Sequence, residues 1–340
     1  MNDSPAPSLA APEGRILVCG GAGYIGSHFV RLLSEIGADV VVLDNLSTGH
    51  RATVGVPFEE VDLGDPAALE DVFGRLKPRA VVHFAAKCYV GESVDNPAKY
   101  YRENVSNTLQ LLETMRRHEC KQFVFSSTCA TFGNPVQVPM GEDHPQDPIN
   151  PYGRTKLHVE HMLQDFGEAY GLEFASLRYF NAAGASPDGE LGEDHDPETH
   201  LIPIVLQVAA GRRDKVLVFG DDYDTRDGTC VRDYIHVCDL ADAHVRALNA
   251  LQAGRRRLFC NLGTGEGFTV REVIETAREV TGHGIPAEVA ARRSGDPPVL
   301  VSGGTRARDL LGWEPRYADL RTIVEHAWAF HQRHPDGFSR

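Results

Sequence analysis

The chain has 340 residues, 42% hydrophobic and 24% charged, the make-up of a globular chain with one large core and a smaller lobe, which excludes a disordered, collagenous or coiled-coil architecture. Its 48 acidic against 34 basic residues give a net charge of -14, which repels phosphate backbones and anionic membrane surfaces, so neither nucleic acid nor membrane is expected as a partner. An anionic small ligand must be gripped locally, by arginine, lysine or backbone N–H groups.

In chain order, residues 1–14 read as a flexible tail. Positions 1–12 lack a basic region followed by an apolar run, so neither a signal peptide nor a membrane span is expected there. From Arg15 onward, short β-branched runs alternate with helical patterns. Strands are predicted at 16–19, 40–43, 58–61, 80–84 and 123–126, with helices at 24–36 and 66–76 and a longer one at 97–117 whose stripe is Val105, Leu109, Leu112 and Met115. A helix over 151–170 carries a second stripe of Val159, Met162, Leu163, Phe166 and Tyr170. Strands buried on both faces and joined by crossover helices make a doubly wound parallel α/β sheet. After Asn181, loops rich in glycine, proline and acid (185–199, 220–229) point to a smaller, less regular α/β lobe that caps a substrate.

Seven cysteines, widely spread and without a C-x-x-C pair, suit reduced thiols in a cytosolic protein. The fifteen histidines give no metal signature. His158 with His161, and His195 with His200, lack convergent partners at a recognisable spacing and read as surface residues, so no metal is expected.

The first strand runs straight into Gly20-Gly21-Ala22-Gly23-Tyr24-Ile25-Gly26. Such a turn brings a pyrophosphate close to the backbone and onto a helix N-terminus. Asp44 ends the second strand, where a carboxylate accepts from both ribose hydroxyls and disfavours a 2′-phosphate, which selects NAD over NADP. Asp62, closing strand three, and Phe84 to Lys87, closing strand four, line the same carboxyl edge.

Tyr152 and Lys156 lie four apart at the start of a helix, on adjacent turns of one face. A free phenol titrates near ~10, and one cation lowers a pKa by only ~1–3 units. Lysine alone therefore falls short, and the positive charge of an oxidised nicotinamide would complete the activation of Tyr152 as a base. Thr128, at the end of the fifth strand, places a hydroxyl where a substrate oxygen can bridge it and Tyr152.

The glycine turn, Asp44-Asn45-Leu46, His83-Phe84-Ala85-Ala86, Gly91-Glu92-Ser93-Val94, Phe125-Ser126-Ser127-Thr128, Tyr152 to Lys156 and Arg178-Tyr179-Phe180-Asn181 together resemble the extended short-chain dehydrogenases/reductases. The run from Gly228 to Val237 and Arg292-Arg293-Ser294-Gly295-Asp296 make the chain similar to the UDP-glucose 4-epimerase branch, from Arg15 to about His334. The resemblance implies a Rossmann-like NAD domain of residues 15–181 with about 233–262, and a substrate lobe of about 182–232 and 263–340. It implies catalysis by Tyr152, Lys156 and Thr128. Cofactor contacts are expected from Gly20, Gly23, Tyr24, Ile25, Gly26, Asp44, Asn45, Asp62, Leu63, Phe84, Ala85, Ala86, Asn104, Lys156 and Tyr179. Substrate contacts are expected from Thr128, Tyr152, Asn181, Leu201, Arg232, Arg293 and Asp296, with Asn181 and the two arginines on a diphosphate and Asp296 on its ribose. A cytoplasmic homodimer is implied, joined through the 97–117 and 151–170 helices.

Several positions depart from the family pattern. Thr128 replaces the commoner serine, Phe132 replaces a tyrosine, Cys19 replaces a threonine, and a family lysine aligns with Cys88 although Lys87 is adjacent. Leu300 stands where side-chain size helps decide whether N-acetylated sugars fit. The expected reaction interconverts UDP-galactose and UDP-glucose through oxidation at C4, rotation of the keto sugar and re-reduction. Epimerases of UDP-N-acetylhexosamines or UDP-pentoses are alternatives, as are a nucleotide-sugar 4,6-dehydratase and a noncatalytic NAD-sensing module. The dehydratase is disfavoured because Cys129-Ala130, after Thr128, supplies no acid to protonate a leaving hydroxyl.

Overall fold

The computed structural model describes residues 9–293 and 296–338. Residues 1–8 of the expected tail lie outside that range. Residues 9–14 correct the expectation of a loose tail: Leu9 packs on the core, the Glu13 N–H donates to Gln252 Oε1 (2.7 Å), and the Glu13 carbonyl accepts from Gln252 Nε2 (2.9 Å). Backbone groups that find such partners are held to the surface of a helix.

The β-branched runs become β1 (Ile16–Cys19), β2 (Val40–Asp44), β3 (Phe58–Glu60) and β4 (Ala80–His83), interleaved with α1 (Tyr24–Glu35) and α2 (Pro66–Leu76). Then come α3 (Val90–Asp95), α4 (Pro97–Tyr100), α5 (Asn107–Arg117), β5 (Gln122–Thr128), α6 (Pro151–Tyr170) and β6 (Glu173–Tyr179). The remainder gives β7 (Asn181–Ala183), α7 (Leu201–Ala209), β8 (Val216–Phe219), β9 (Val231–Arg232), β10 (Tyr234–His236), α8 (Val237–Gln252) and β11 (Arg257–Leu262). It ends with β12 (Phe268–Thr269), α9 (Val270–Thr281), β13 (Ala287–Ala290), β14 (Val299–Leu300), α10 (Arg306–Leu311) and α11 (Leu320–Arg333).

Seven parallel strands pair in the order β11-β6-β5-β4-β1-β2-β3, the doubly wound sheet read from the sequence. Strand order reverses between β1 and β4, so their carboxyl ends border a crevice in which such sheets hold ligands. One face packs on α1 and α8 through Phe29, Leu33, Leu240 and Leu248. The other packs on α2, α5 and α6 through Leu69, Phe73, Leu111, Met115, Val159 and Leu163. A separate apolar cluster, with Val205, Leu206, Val273 and Ile323, unites α7, α9 and α11. Among the described residues, no helix is long and apolar enough to cross a membrane.

Two helical stripes need correction. The predicted 97–117 helix is α4 and α5 joined by a π turn at Tyr101–Ser106, which rotates the following residues out of a single 3.6-residue register. Leu109 is consequently exposed and Val105 only half-buried, while Leu111, Leu112 and Met115 face the core. On α6, Tyr170 is exposed and Met162 and Phe166 are half-buried; the deep positions are Val159, Leu163 and the polar Thr155, Lys156 and Glu160. Histidine is also less superficial than expected. His158 and His161 are exposed, but His28, His83, His236 and His244 are buried. Burial lowers the imidazoles of His28 and His244 to about 4, so they stay neutral. Each places Nδ1 against the carbonyl of the residue four earlier in its helix, Tyr24 at 2.8 Å and Leu240 at 2.7 Å.

Helix α6 starts at an Asn150 cap whose side chain accepts from the Gly153 N–H, has proline at its first position, and stops at Gly171 with φ 73°, so both ends are coded locally. Its seat on the sheet is set by Glu160. That carboxylate accepts from Ser127 Oγ (2.7 Å), Ser176 Oγ (2.9 Å), Gln146 Nε2 (2.9 Å) and both Arg178 Nε (2.8 Å) and Nη2 (2.6 Å). Burial alone would raise the Glu160 carboxyl, but the Arg178 hydrogen bonds and charge hold it below the ordinary carboxylate range. A depressed carboxylate stabilises the fold above its unfolded pKa of about 4.3 and loses that contribution as pH falls through the folded value. Glu160→Gln is expected to lower the unfolding free energy at pH 7 by about 3–5 kcal/mol, because it strands the buried Arg178 charge. In urea titrations the gap from the unmodified protein should close as pH drops below about 4.

Candidate functional site

At the end of β1, Gly20 adopts φ 80°, and a Cβ there would stand 2.4 Å from the Ala85 nitrogen. A Cβ on Gly26 would stand 2.1 Å from the Gly20 carbonyl oxygen, whereas one on Gly23 would meet nothing nearer than that oxygen at 3.5 Å. Gly20 and Gly26 thus allow the turn to close, and Gly23 leaves its outer side open. Helix α1 begins at Gly23 with no side-chain cap, so its first N–H groups are available to an anion. Asp44, at the tip of β2, accepts from the Ala22 N–H (3.0 Å) and the Leu46 N–H (2.8 Å), the latter holding Leu46 at φ 55°. Asn45 donates to Asp62 (2.7 Å), and Lys87 Nζ donates to Ser47 Oγ (3.0 Å) on the loop after β2. A closed glycine turn, an uncapped helix start and a carboxylate on the next strand fit a dinucleotide.

Asn104, one of the expected cofactor contacts, sits behind the cavity surface. Asn104, in the π turn, is buried and absent from the cavity wall. Its side chain accepts from the Lys87 N–H (2.8 Å) and donates to the Lys87 carbonyl (2.9 Å) and to Thr155 Oγ1 (3.1 Å). It braces the wall from behind, tying the loop after β4 to α6.

Thr128 ends β5, and Tyr152 and Lys156 face it from the first turns of α6. Lys156 Nζ donates to the Ser126 carbonyl (2.8 Å), 4.8 Å over the Phe125 ring and 6.0 Å from the centre of the Tyr152 ring. The Tyr179 hydroxyl pairs with Ser126 Oγ. Burial, with Cys88 and Tyr179 nearby, raises the Tyr152 phenol well above its ordinary value, and a hydrogen bond from Thr128 opposes this only in part. Burial also pushes the Lys156 ammonium down to about 8. In the protein alone desolvation dominates the Tyr152 phenol, and the neighbouring lysine does not bring it down.

On the opposite wall, β7 pairs with β10, and β9 lies between β12 and β14 with Arg232 beside Leu300. Arg232 donates to Asp296 (3.0 Å) and to the Val231 and Pro297 carbonyls (2.9 Å each). The Arg293 guanidinium lies 3.9 Å over the Phe219 ring. Ser294 and Gly295, within the expected motif, lie outside the described residues. Apart from Asn104, every expected cofactor and substrate residue lines one cavity of about 1730 Å³. Pockets for a single small ligand span about 300–1,000 Å³, so this one has room for a dinucleotide and a second large ligand.

Sequence reasoning missed Phe219, which supports an arginine, and Tyr89 in the cavity wall. It also missed Glu160, whose signal was available: a glutamate four residues after Lys156 on the buried face. The reading of His195 and His200 as unconnected surface histidines is corrected. Their rings are 5.4 Å apart, and with Glu193 and Glu198 they converge in the wall of the same cavity. The fold-back of an irregular segment, which has no periodicity to read, brings them together.

The family model for the NAD dependent epimerase/dehydratase family matches residues 16–263. The UDP-glucose 4-epimerase of Halalkalibacterium halodurans is 55% identical over 325 residues, 95% of this chain and 97% of that protein. The crystal structure of the Brucella ovis UDP-glucose 4-epimerase in complex with NAD superposes with a TM-score of 0.91 at 52% identity, covering 93% of this chain and 98% of that one. The Bifidobacterium longum enzyme in complex with NAD+ and UDP gives 0.91 at 37% identity, covering 95% and 100%.

Because a Cβ on Gly26 collides with the Gly20 carbonyl, Gly26→Ala is expected to weaken NAD at least tenfold, about 1.4 kcal/mol, in an equilibrium binding titration. Gly55→Ala, at a position with nothing within 4 Å, should bind as the unmodified protein does.

Proposed function

The chain belongs to the NAD dependent epimerase/dehydratase family, and from this premise we propose that it interconverts UDP-galactose and UDP-glucose at C4 of the sugar, with NAD as cofactor. One observation carries this reading: Thr128, Tyr152 and Lys156 share a single cavity with the glycine turn and Asp44 on one side and Asn181, Arg232, Arg293 and Asp296 on the other. A dinucleotide and a nucleotide sugar brought together there leave a phenol as the proton carrier.

Bound NAD supplies the acceptor and then the donor of hydride and, when oxidised, a positively charged ring. Tyr152 removes the proton of the sugar 4-hydroxyl and later returns it, with the Thr128 hydroxyl hydrogen-bonded to the same oxygen. Its raised pKa keeps it protonated until positive charge accumulates, so proton removal is coupled to the oxidised state of the site. Asn181, Arg232 and Arg293 hold the diphosphate, and Asp296 contacts the ribose. Binding energy spent on the nucleotide lets the sugar ring turn over in the remaining space. Leu300, packed beside Cys129, Phe132, Met140 and Phe180, borders that space and limits substituents on the sugar.

The working form in this reading is a cytoplasmic homodimer serving galactose metabolism. The seven free cysteines support a reducing compartment. Tyr101, Leu109 and Tyr170, exposed on the π turn, α5 and α6, support a self-complementary helical face, and sedimentation at micromolar concentration tests it, with a strict monomer overturning the dimer. Purified protein given UDP-galactose and no added cofactor is expected to form UDP-glucose, resolved by chromatography, while a 4-keto-6-deoxy product would move the assignment to a dehydratase. Tyr152→Phe should lower turnover by about 10²–10⁴-fold, the usual worth of a general base, while retaining NAD. UDP-N-acetylhexosamines and UDP-pentoses in the same assay define the sugar range.

A further inference from the structure

The segment between β7 and α7 has no regular secondary structure, yet it buries two carboxylates: the side chains of Glu193 and Glu198 are 6% and 2% exposed. Two imidazoles face them. His195 Nδ1 lies 3.1 Å from Glu193 Oε1 and 3.7 Å from Glu198 Oε2, and His200 Nδ1 lies 2.6 Å from the same Glu193 oxygen and 3.3 Å from Glu198 Oε1. One ligand-type atom from each residue falls within 4.8 Å of all the others. Despite these separations, both Nδ1 atoms are buried without a hydrogen-bond partner. Close contact without in-line hydrogen-bond geometry leaves two nitrogens and two carboxylates converging on one another. Glu198 is fixed independently, since its Oε1 accepts from the Thr199 N–H (2.7 Å) and the His200 N–H (2.8 Å).

Two buried carboxylates require two compensating charges. A single divalent cation supplies both and, in place of the protons of these ion pairs, takes the nitrogen lone pairs that face the carboxylates at 2.6–3.7 Å. We propose that Glu193, His195, Glu198 and His200 form a binding site for one divalent transition-metal ion of the zinc class. Two imidazole nitrogens and two carboxylate oxygens make a four-ligand set suited to zinc, whereas magnesium and calcium prefer all-oxygen shells. Four protein ligands make the site structural, with no position reserved for a reacting group. The ion staples the segment onto the cofactor side of the cavity, where the rings of Tyr24 and Tyr89 meet His195 edge-on at 6.2 Å and 6.0 Å. The Tyr24 hydroxyl, from the first turn of α1, donates to the Gly184 carbonyl (2.7 Å) at the start of the same segment. The metal assay uses neither nucleotide nor sugar, so the sugar assay and the metal assay fail separately even though the four residues line the same cavity.

The test uses untagged, full-length protein dialysed against a chelator and titrated with Co²⁺. The expected result is a visible absorption band of four-coordinate intensity that saturates at a single equivalent and is bleached by Zn²⁺ but not by Mg²⁺. Glu198→Gln, which keeps the side-chain shape, should weaken Co²⁺ by at least the ~10–100-fold that loss of even an outer-shell partner costs. The double variant His195→Gln, His200→Gln should abolish the band, and His158→Gln, on the exposed face of α6, should leave it unchanged. Absence of a saturable band in the unmodified protein overturns the site without reference to any variant. A band that persists in the double variant, or that Mg²⁺ displaces as readily as Zn²⁺, also overturns it.

Discussion

The carboxylate of Glu160 gathers β5, β6 and α6 around one buried charge, through Ser127, Ser176 and Arg178. Ser127 immediately precedes Thr128, and Lys156 and Tyr152 lie about one and two helical turns before Glu160. The bonds that seat α6 on the sheet therefore also set the distance between Thr128 and Tyr152 across the cavity. Arg178 extends the anchor to the Glu142 carbonyl (3.2 Å), on the connection between β5 and α6. Apolar burial is nondirectional and would tolerate a helix displaced along its groove. A buried charge whose bonds must all be satisfied does not.

Electrostatics in the site are local and run against the molecule's overall charge of -14. An uncapped helix start faces one end of the cavity, and Arg232 and Arg293 face the other. Both arginines are held before any ligand arrives, Arg232 by Asp296 and two carbonyls and Arg293 by the face of Phe219, so little side-chain freedom remains to be lost on binding. Between these poles lies a poorly solvated floor, where burial raises the Tyr152 phenol and depresses the Lys156 ammonium. A phenol placed there stays protonated in the protein alone.

Legibility followed distance along the chain. The glycine turn and Asp44 could be read because a strand, a turn and a helix start make a local unit, and Tyr152 and Lys156 because an i, i+4 pair needs only a helix. The interruption between α4 and α5 could not be read. A π turn leaves no distinctive residue pattern, and its consequences, an exposed Leu109 and an Asn104 buried against Lys87 and Thr155, both follow from the lost register. The buried histidines of α1 and α8 were hidden for a related reason, since a bond to the carbonyl four residues earlier lets an imidazole pass as an apolar side chain.

The sequence by itself determined the parallel α/β architecture, the dinucleotide turn, the tyrosine and lysine pair, and the family whose motifs recur in order. Each rests on contacts within a few residues or on a run of motifs, and neither needs a third dimension. Only the tertiary structure decided that Glu160 fastens α6, that Asn104 ties the loop after β4 to α6, and that Glu193, His195, Glu198 and His200 come within 4.8 Å of one another. It also decided the sign of the Tyr152 shift. Desolvation and long-range convergence belong to the surroundings of a side chain, and those surroundings exist only once distant segments have packed together.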